Sequence, residues 1–313
     1  MRRAFTFPGQ GSQSVGMGRA LAEAFPVARE VFEEVDEALG DHLSRIMFTG
    51  PEDVLTLTQN AQPALMAVSI AALRAIEREG GVRLGVMAEW VAGHSLGEYS
   101  ALAAAGALPV AETARLLRIR GLAMQKAVPV GTGAMAALLG VELDLALAVA
   151  EDAAQGQVCA VANDNAPGQI VISGHREAVD RAIALAKERG GKRAINLPVS
   201  APFHCDLMRP AADAMAEALE RTVMAPPAVP LVANVTARPT SDPATIARLL
   251  VEQVTARVRW RETIEYLAGQ GAEQFVEIGA GKVLSGMAKR IARDATTVSI
   301  GEPADVEAFL KTL

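Results

Sequence analysis

Cysteine is scarce: Cys159 and Cys205 are the only two, far apart, and the opening stretch MRRAFTFPGQGSQ has no apolar segment long enough for a secretory signal. A disulfide framework is therefore not expected, and two free thiols in a reducing cytoplasm are. No CxxC occurs and no two histidines stand four residues apart, so neither common zinc signature is present and no metal is expected. The 11 methionines read as core filler rather than a ligand set. No apolar run reaches the roughly 20 residues that span a bilayer, so no membrane span is expected. Positive charge is in deficit. With 30 Lys and Arg against 36 Asp and Glu the net charge is −6, which argues against a general nucleic-acid binder. Fixed-period repeats, low-complexity tracts and long charge blocks are also missing.

Apolar residues are plentiful. Half of the 313 residues are hydrophobic, enough core for one large domain or two ordinary ones. RRAFTF reads as a short strand stopped by Pro8 and Gly9, and MGRALAEAFPVAREVFEEVDEALG as a helical stretch broken at Pro26 and ended at Gly40. Another helix is expected from about Pro63 to the pair Gly80 and Gly81. MAEWVAG then reads as a short buried strand and LGEYSALAAAGAL as a helix, the rhythm of a mainly parallel α/β core.

The middle of the chain changes rhythm. GAMAALLG, LDLALAVAEDAA, VCAVAND, GQIVISG, REAVDRAIALAKERG and RAINLPV read as β-α-β-β-α-β, the ferredoxin-like split unit. VPLVANV and EQFVEIG then resume the larger core. The expected architecture is a discontinuous α/β-hydrolase-like large domain with a parallel sheet (residues 1–128 and 198–313), interrupted by a small ferredoxin-like α+β domain (129–197).

VAGHSLGEYSA, Val91 to Ala101, sets Ser95 between Gly93 and Gly97 directly after the apolar strand. G-x-S-x-G at a strand-to-helix turn is the pattern of a nucleophile elbow, where glycines allow close backbone approach. Five residues alone fit a capping serine in a loop equally well. Two further stretches weigh on the choice: FTFPGQGSQ, which follows the first strand with a Gln between glycines, and PVSAPFHCDLM, which contains His204. The three together closely resemble the malonyl-CoA:acyl carrier protein transacylase family of fatty acid synthesis. The resemblance continues through VEIGAGKVLSGMAKRI and so covers nearly the whole chain.

That resemblance implies a dyad of Ser95 as nucleophile and His204 as general base. It implies backbone amides of Gln10 and Leu96 as oxyanion donors, and the backbone carbonyl of Gln253 as the group orienting His204. Asp206 is the competing orienting group and is read instead as a helix-start carboxylate. Arg120 in ARLLRIRGLAMQ is implied as the clamp for a substrate carboxylate, with Arg115 and Arg118 as solvated charges. Phe203 matches the motif version found with malonyl substrates and would crowd an α-methyl branch. Of the other histidines, His42 is placed beside a helix end and His175 in a loop, and His94 is read as ordering the elbow.

The expected activity is ping-pong transfer of malonyl from malonyl-CoA to the phosphopantetheine thiol of an acyl carrier protein, with no cofactor beyond the coenzyme A thioester substrate. A monomer is implied. Such a carrier is acidic, so a local basic patch is expected; Lys192 with Arg193, or Lys289 with Arg290, are the candidates. A phosphate-binding reading of PGQGSQ fails for want of a P-loop lysine and of G-x-G-x-x-G spacing. A serine hydrolase would share the elbow but needs no Arg120, and a silent scaffold needs none of Ser95, His204 and Arg120.

Overall fold

A computed structural model describes residues 1–313. Ten strands form two sheets. The larger contains β1 (Arg3–Phe7), β2 (Trp90–Gly93), β7 (Leu231–Val232), β8 (Pro239–Thr240), β9 (Gln274–Ile278) and β10 (Thr296–Ile300), in the order β10-β9-β1-β2-β7-β8. All neighbours pair in parallel except β7 and β8.

The sheet is covered on both faces, and alternation along the strands assigns the sides. Phe5, Phe7, Val91, Val276 and Ile278 point into a core shared with the long helix Thr58–Gly80. Ala4, Trp90, Ala92 and Phe275 point the other way, onto helices Trp260–Gly269 and Val283–Ile291. No helix is long and apolar enough to cross a membrane.

The smaller sheet contains β3 (Gly133–Leu139), β4 (Cys159–Ala166), β5 (Gln169–His175) and β6 (Arg193–Asn196), in the antiparallel order β4-β5-β3-β6. Helices Leu143–Ala154 and Arg176–Glu188 connect β3 to β4 and β5 to β6, and pack with the sheet around a core of their own. This sheet is tied to the larger unit at β4. Val258 N–H donates to Ala162 O (2.8 Å), Asp164 N–H donates to Val258 O (3.0 Å), and Arg261 grips the fully buried Asp164 carboxylate at 2.8 Å. The tie holds Asn163 and Asn165 against the large sheet's loops.

Three local expectations need correction. The long helix starts at Thr58, not near Pro63, which lies inside it. Proline removes one helical N–H, but packing carries the chain through: the first turn lies on Gly121, where an added Cβ would come within 2.5 Å of Gln59 Cα. His175 is not in a loop; it ends β5, and its Nδ1 accepts the Val158 N–H at 2.9 Å. Arg115 is solvated, but Arg118 is largely covered and pairs with Asp41 at 3.4 Å.

The sequence builds the elbow by excluding side chains where three backbone segments meet. A Cβ on Gly93 would sit 1.9 Å from the Gly97 carbonyl carbon, and one on Gly97 would sit 2.2 Å from Phe7 O. Between them Ser95 adopts φ 54°, in the left-handed region that a non-glycine residue enters only when its surroundings hold it there. Gly93→Ala is therefore expected to lower the free energy of unfolding by about 3 kcal/mol, the upper range for overpacking. Urea denaturation measures it, and a loss below about 1 kcal/mol would mean the turn has room to relax.

Candidate active site

Ser95 Oγ lies 2.8 Å from His204 Nε2, and His204 Nδ1 lies 2.8 Å from the Gln253 backbone carbonyl. A carbonyl can only accept, so the proton belongs on Nδ1 and Nε2 is left bare to take the Ser95 O–H. His204 is buried and held at φ 57°, a second strained residue facing the first. Burial, then the nearby Arg120 charge, pushes its pKa down to about 3. The imidazole is thus neutral and able to accept a proton throughout the physiological range. Asp206 plays no part in this pairing; it opens a short 3-10 turn, is largely exposed and meets Arg209 at 3.3 Å.

Arg120 projects from helix Val110–Lys126 to the same point and is 1 % exposed. Its Nη2 donates to Ser95 Oγ (3.1 Å) and Gln253 Oε1 (2.7 Å), and its Nη1 to Gln62 Oε1 (2.9 Å). All three partners are neutral, and its Nε has none. The Tyr99 ring, 5.7 Å from the guanidinium carbon, is the remaining favourable neighbour. Burial lowers the pKa of Arg120, an effect opposed by its electrostatic interaction with Tyr99 and then Glu98. A buried guanidinium with no carboxylate in contact has the capacity to pair with an anion.

Beneath the elbow lies a buried polar network that sequence reasoning missed. Asn234 Oδ1 accepts the Ser95 N–H at 2.8 Å, while its Nδ2 donates to Gly93 O at 2.7 Å. Glu98, also 1 % exposed, accepts from the Asn234 N–H at 2.9 Å and from Gln253 Nε2. Gln253 Nε2 donates as well to Ser95 O at 2.9 Å. Burial raises the Glu98 pKa to about 7 against the lowering effect of these hydrogen bonds. The available signals were an asparagine inside the apolar VPLVANV and a glutamate directly after Gly97.

The site opens into a cavity of about 990 Å³, whose wall includes Gln10, Leu96, Phe203, Asn163 and Asn165. Gln10 and Leu96 share a feature that sequence could not show: neither backbone N–H has a partner within the chain. Leu96 immediately precedes helix Gly97–Ala104, so its N–H stands at a helix N-terminus. His94, half-buried, bonds Asn165 Oδ1 through Nε2 at 2.8 Å and so links the elbow to the small sheet. Of the residues expected from sequence, Ser95, His204, Arg120, Gln10, Leu96 and Phe203 line this one cavity and Gln253 lies buried behind His204, whereas Glu98, Asn234, Gln62 and Asn165 were not anticipated.

The class of protein follows from the comparison of the chain with known families: residues 4–306 match the acyl transferase domain family. The chain is 46% identical over 308 residues to the malonyl CoA-acyl carrier protein transacylase of Salmonella typhimurium, with 98% of each covered. The Bacillus subtilis protein of the same name is 45% identical, covering 99% of this chain and 96% of its own. Among solved structures, an acyl-carrier-protein-S-malonyltransferase from Bartonella henselae superposes with a TM-score of 0.97 at 55% identity, covering 100% of this chain and 99% of that one. A malonyl-transacylase in complex with a type II PKS acyl-carrier protein gives 0.96 at 42%, with full coverage of both. The chain belongs to the malonyl CoA-acyl carrier protein transacylase family and is an acyltransferase.

The depressed His204 pKa has a direct readout. A group whose folded pKa lies below its free value stays deprotonated as pH falls, so inactivation of Ser95 by a sulfonyl fluoride should change by less than about threefold between pH 8 and 5. A loss of reactivity with its midpoint near the free imidazole value would show that His204 titrates as if solvated.

Proposed function

We propose that this protein transfers malonyl from malonyl-CoA to the phosphopantetheine thiol of an acyl carrier protein, in two half-reactions through a malonyl-Ser95 ester. The observation that carries this reading is Arg120: a buried cation with only neutral contacts, 3.1 Å from the serine that would hold the acyl group. A guanidinium fork suits a carboxylate, and an acyl group lacking one would leave it unpaired.

In the first half, His204 Nε2 takes the Ser95 proton as Oγ attacks the thioester carbonyl. The oxyanion is stabilised by the free N–H groups of Gln10 and Leu96. Collapse breaks the C–S bond, His204 returns the proton to the coenzyme A sulfur, and malonyl-Ser95 remains. The second half runs in reverse with the carrier thiol: His204 removes its proton, sulfur attacks the ester, and Ser95 leaves with the proton restored. The Gln253 carbonyl keeps Nδ1 protonated throughout, so one tautomer serves both halves. Phe203 in the cavity wall would crowd an α-methyl branch, which favours malonyl over methylmalonyl.

The architecture that supports this chemistry is read as an α/β-hydrolase-like unit of residues 1–128 and 198–313 carrying a ferredoxin-like unit of 129–197, one contributing the dyad and clamp, the other Asn163 and Asn165.

Intact-protein mass spectrometry after brief mixing with malonyl-CoA should show one malonyl adduct that transfers to added acyl carrier protein. Ser95→Ala should show none; an adduct retained in that variant, or one lost equally fast without carrier, would refute the transfer mechanism. Arg120→Ala should lower kcat/KM for malonyl-CoA by about 10- to 150-fold, matching roughly 1.5–3 kcal/mol for a hydrogen bond to a charged group, and harm acetyl transfer less. Equal losses for both donors would remove the clamp.

A further inference from the structure

Glu98 is a buried carboxylate that the proposed mechanism does not use. It sits three residues after Ser95, at the start of helix Gly97–Ala104, with its side chain turned beneath the elbow. It makes no ion pair. Its oxygens are served instead by two amide donors, the Asn234 N–H at 2.9 Å and Gln253 Nε2.

The second contact matters because an amide has two unlike ends. Gln253 Nε2 faces three acceptors, the Glu98 carboxylate, Ser95 O and, at 3.4 Å, Asn234 Oδ1, which leaves Oε1 to accept from Arg120 Nη2 at 2.7 Å. Turned over, the amide would set Nε2 against Nη2, donor against donor, and Oε1 against a carboxylate. An ionised Glu98 can only accept, so it forbids that orientation. Arg120 and Glu98 are therefore joined through one oriented amide, although they do not touch.

We propose that Glu98 is a positioning residue for the carboxylate clamp: by locking the Gln253 side chain it aligns Arg120 for acyl groups that bear a free carboxylate. The inference rests on the malonyl-transfer reading and deepens it. It separates two duties of Gln253, whose backbone carbonyl serves His204 and whose side chain serves Arg120. Loss of Glu98 should then damage acyl selection while leaving the Ser95 and His204 pairing in place.

The charged and titratable groups around Glu98 are Arg120 from helix Val110–Lys126, Tyr99 on its own helix, and His204 beyond Gln253. Between pH 6 and 8 Arg120 stays charged, Tyr99 is pushed up by burial and stays neutral, and His204 stays neutral with its pKa near 3. Glu98, raised to about 7, is the member of this group that changes charge there: ionised above, protonated below.

The test is kcat/KM for malonyl-CoA and acetyl-CoA in wild type and Glu98→Gln. In wild type malonyl-CoA should be preferred; absence of any preference would refute the transfer reading itself. In E98Q the malonyl-to-acetyl ratio should fall by about tenfold or more, through a raised malonyl KM, while acetyl kcat stays within about threefold. An equal loss for both donors, an unchanged ratio, or a raised malonyl preference would overturn the positioning role. Should E98Q not fold, the wild-type enzyme decides: the ratio should fall as pH drops from 8 to 6, and a ratio constant over that range overturns the inference.

Discussion

A guanidinium at 1 % exposure, touched only by neutral oxygens, organises the centre of this molecule. Transfer of a cation out of water is unfavourable by several kcal/mol unless the fold supplies partners. The chain supplies Gln62, Gln253, Ser95 and the Tyr99 face, which solvate the charge without neutralising it. A contacting carboxylate would stabilise the free protein more, and would also occupy the place that the proposed mechanism gives to the acyl carboxylate. The same charge acts on the neighbouring histidine, adding to burial in holding His204 neutral. In the proposed mechanism, selection of the acyl group and readiness of the base are thus two consequences of one buried charge.

The paired Ser95 and His204 are held by backbone as much as by side chains. Ser95 and His204 both occupy left-handed dihedrals, and each is held by neighbours that leave little freedom. For Ser95 these are the meeting of β2, the following helix and β1 at Gly93 and Gly97, together with the Asn234 side chain on its N–H. For His204 it is a carbonyl delivered by the end of helix Pro243–Gln253. The sheet order places β7 beside β2, and so brings Asn234 Oδ1 to 2.8 Å from the Ser95 N–H.

Legibility in the sequence followed the reach of the forces involved. The short strand Arg3–Phe7, the break at Pro26 and both helices of the smaller sheet were readable because periodicity and helix breakers act over a few residues. The start of the helix at Thr58 was not, since contact with Gly121, far along the chain, overrides the proline. VPLVANV yielded only a two-residue strand because Asn234 leaves the ladder to bond Gly93 and Ser95. Ser95, His204 and Arg120 were visible as motif residues, whereas Glu98 and Asn234 look ordinary until their burial is known.

By itself, the sequence determined which chemical groups are available, the order of most elements, and the glycine pair that permits the elbow, because each depends on local composition or on spacing along a few turns. Tertiary structure alone decided that Nδ1 of His204 carries the proton, that Arg120 meets no anion, and that Gln253 presents its amide one way round. These are matters of desolvation and of which donor faces which acceptor across 49 to 155 residues of chain, and no local pattern encodes either.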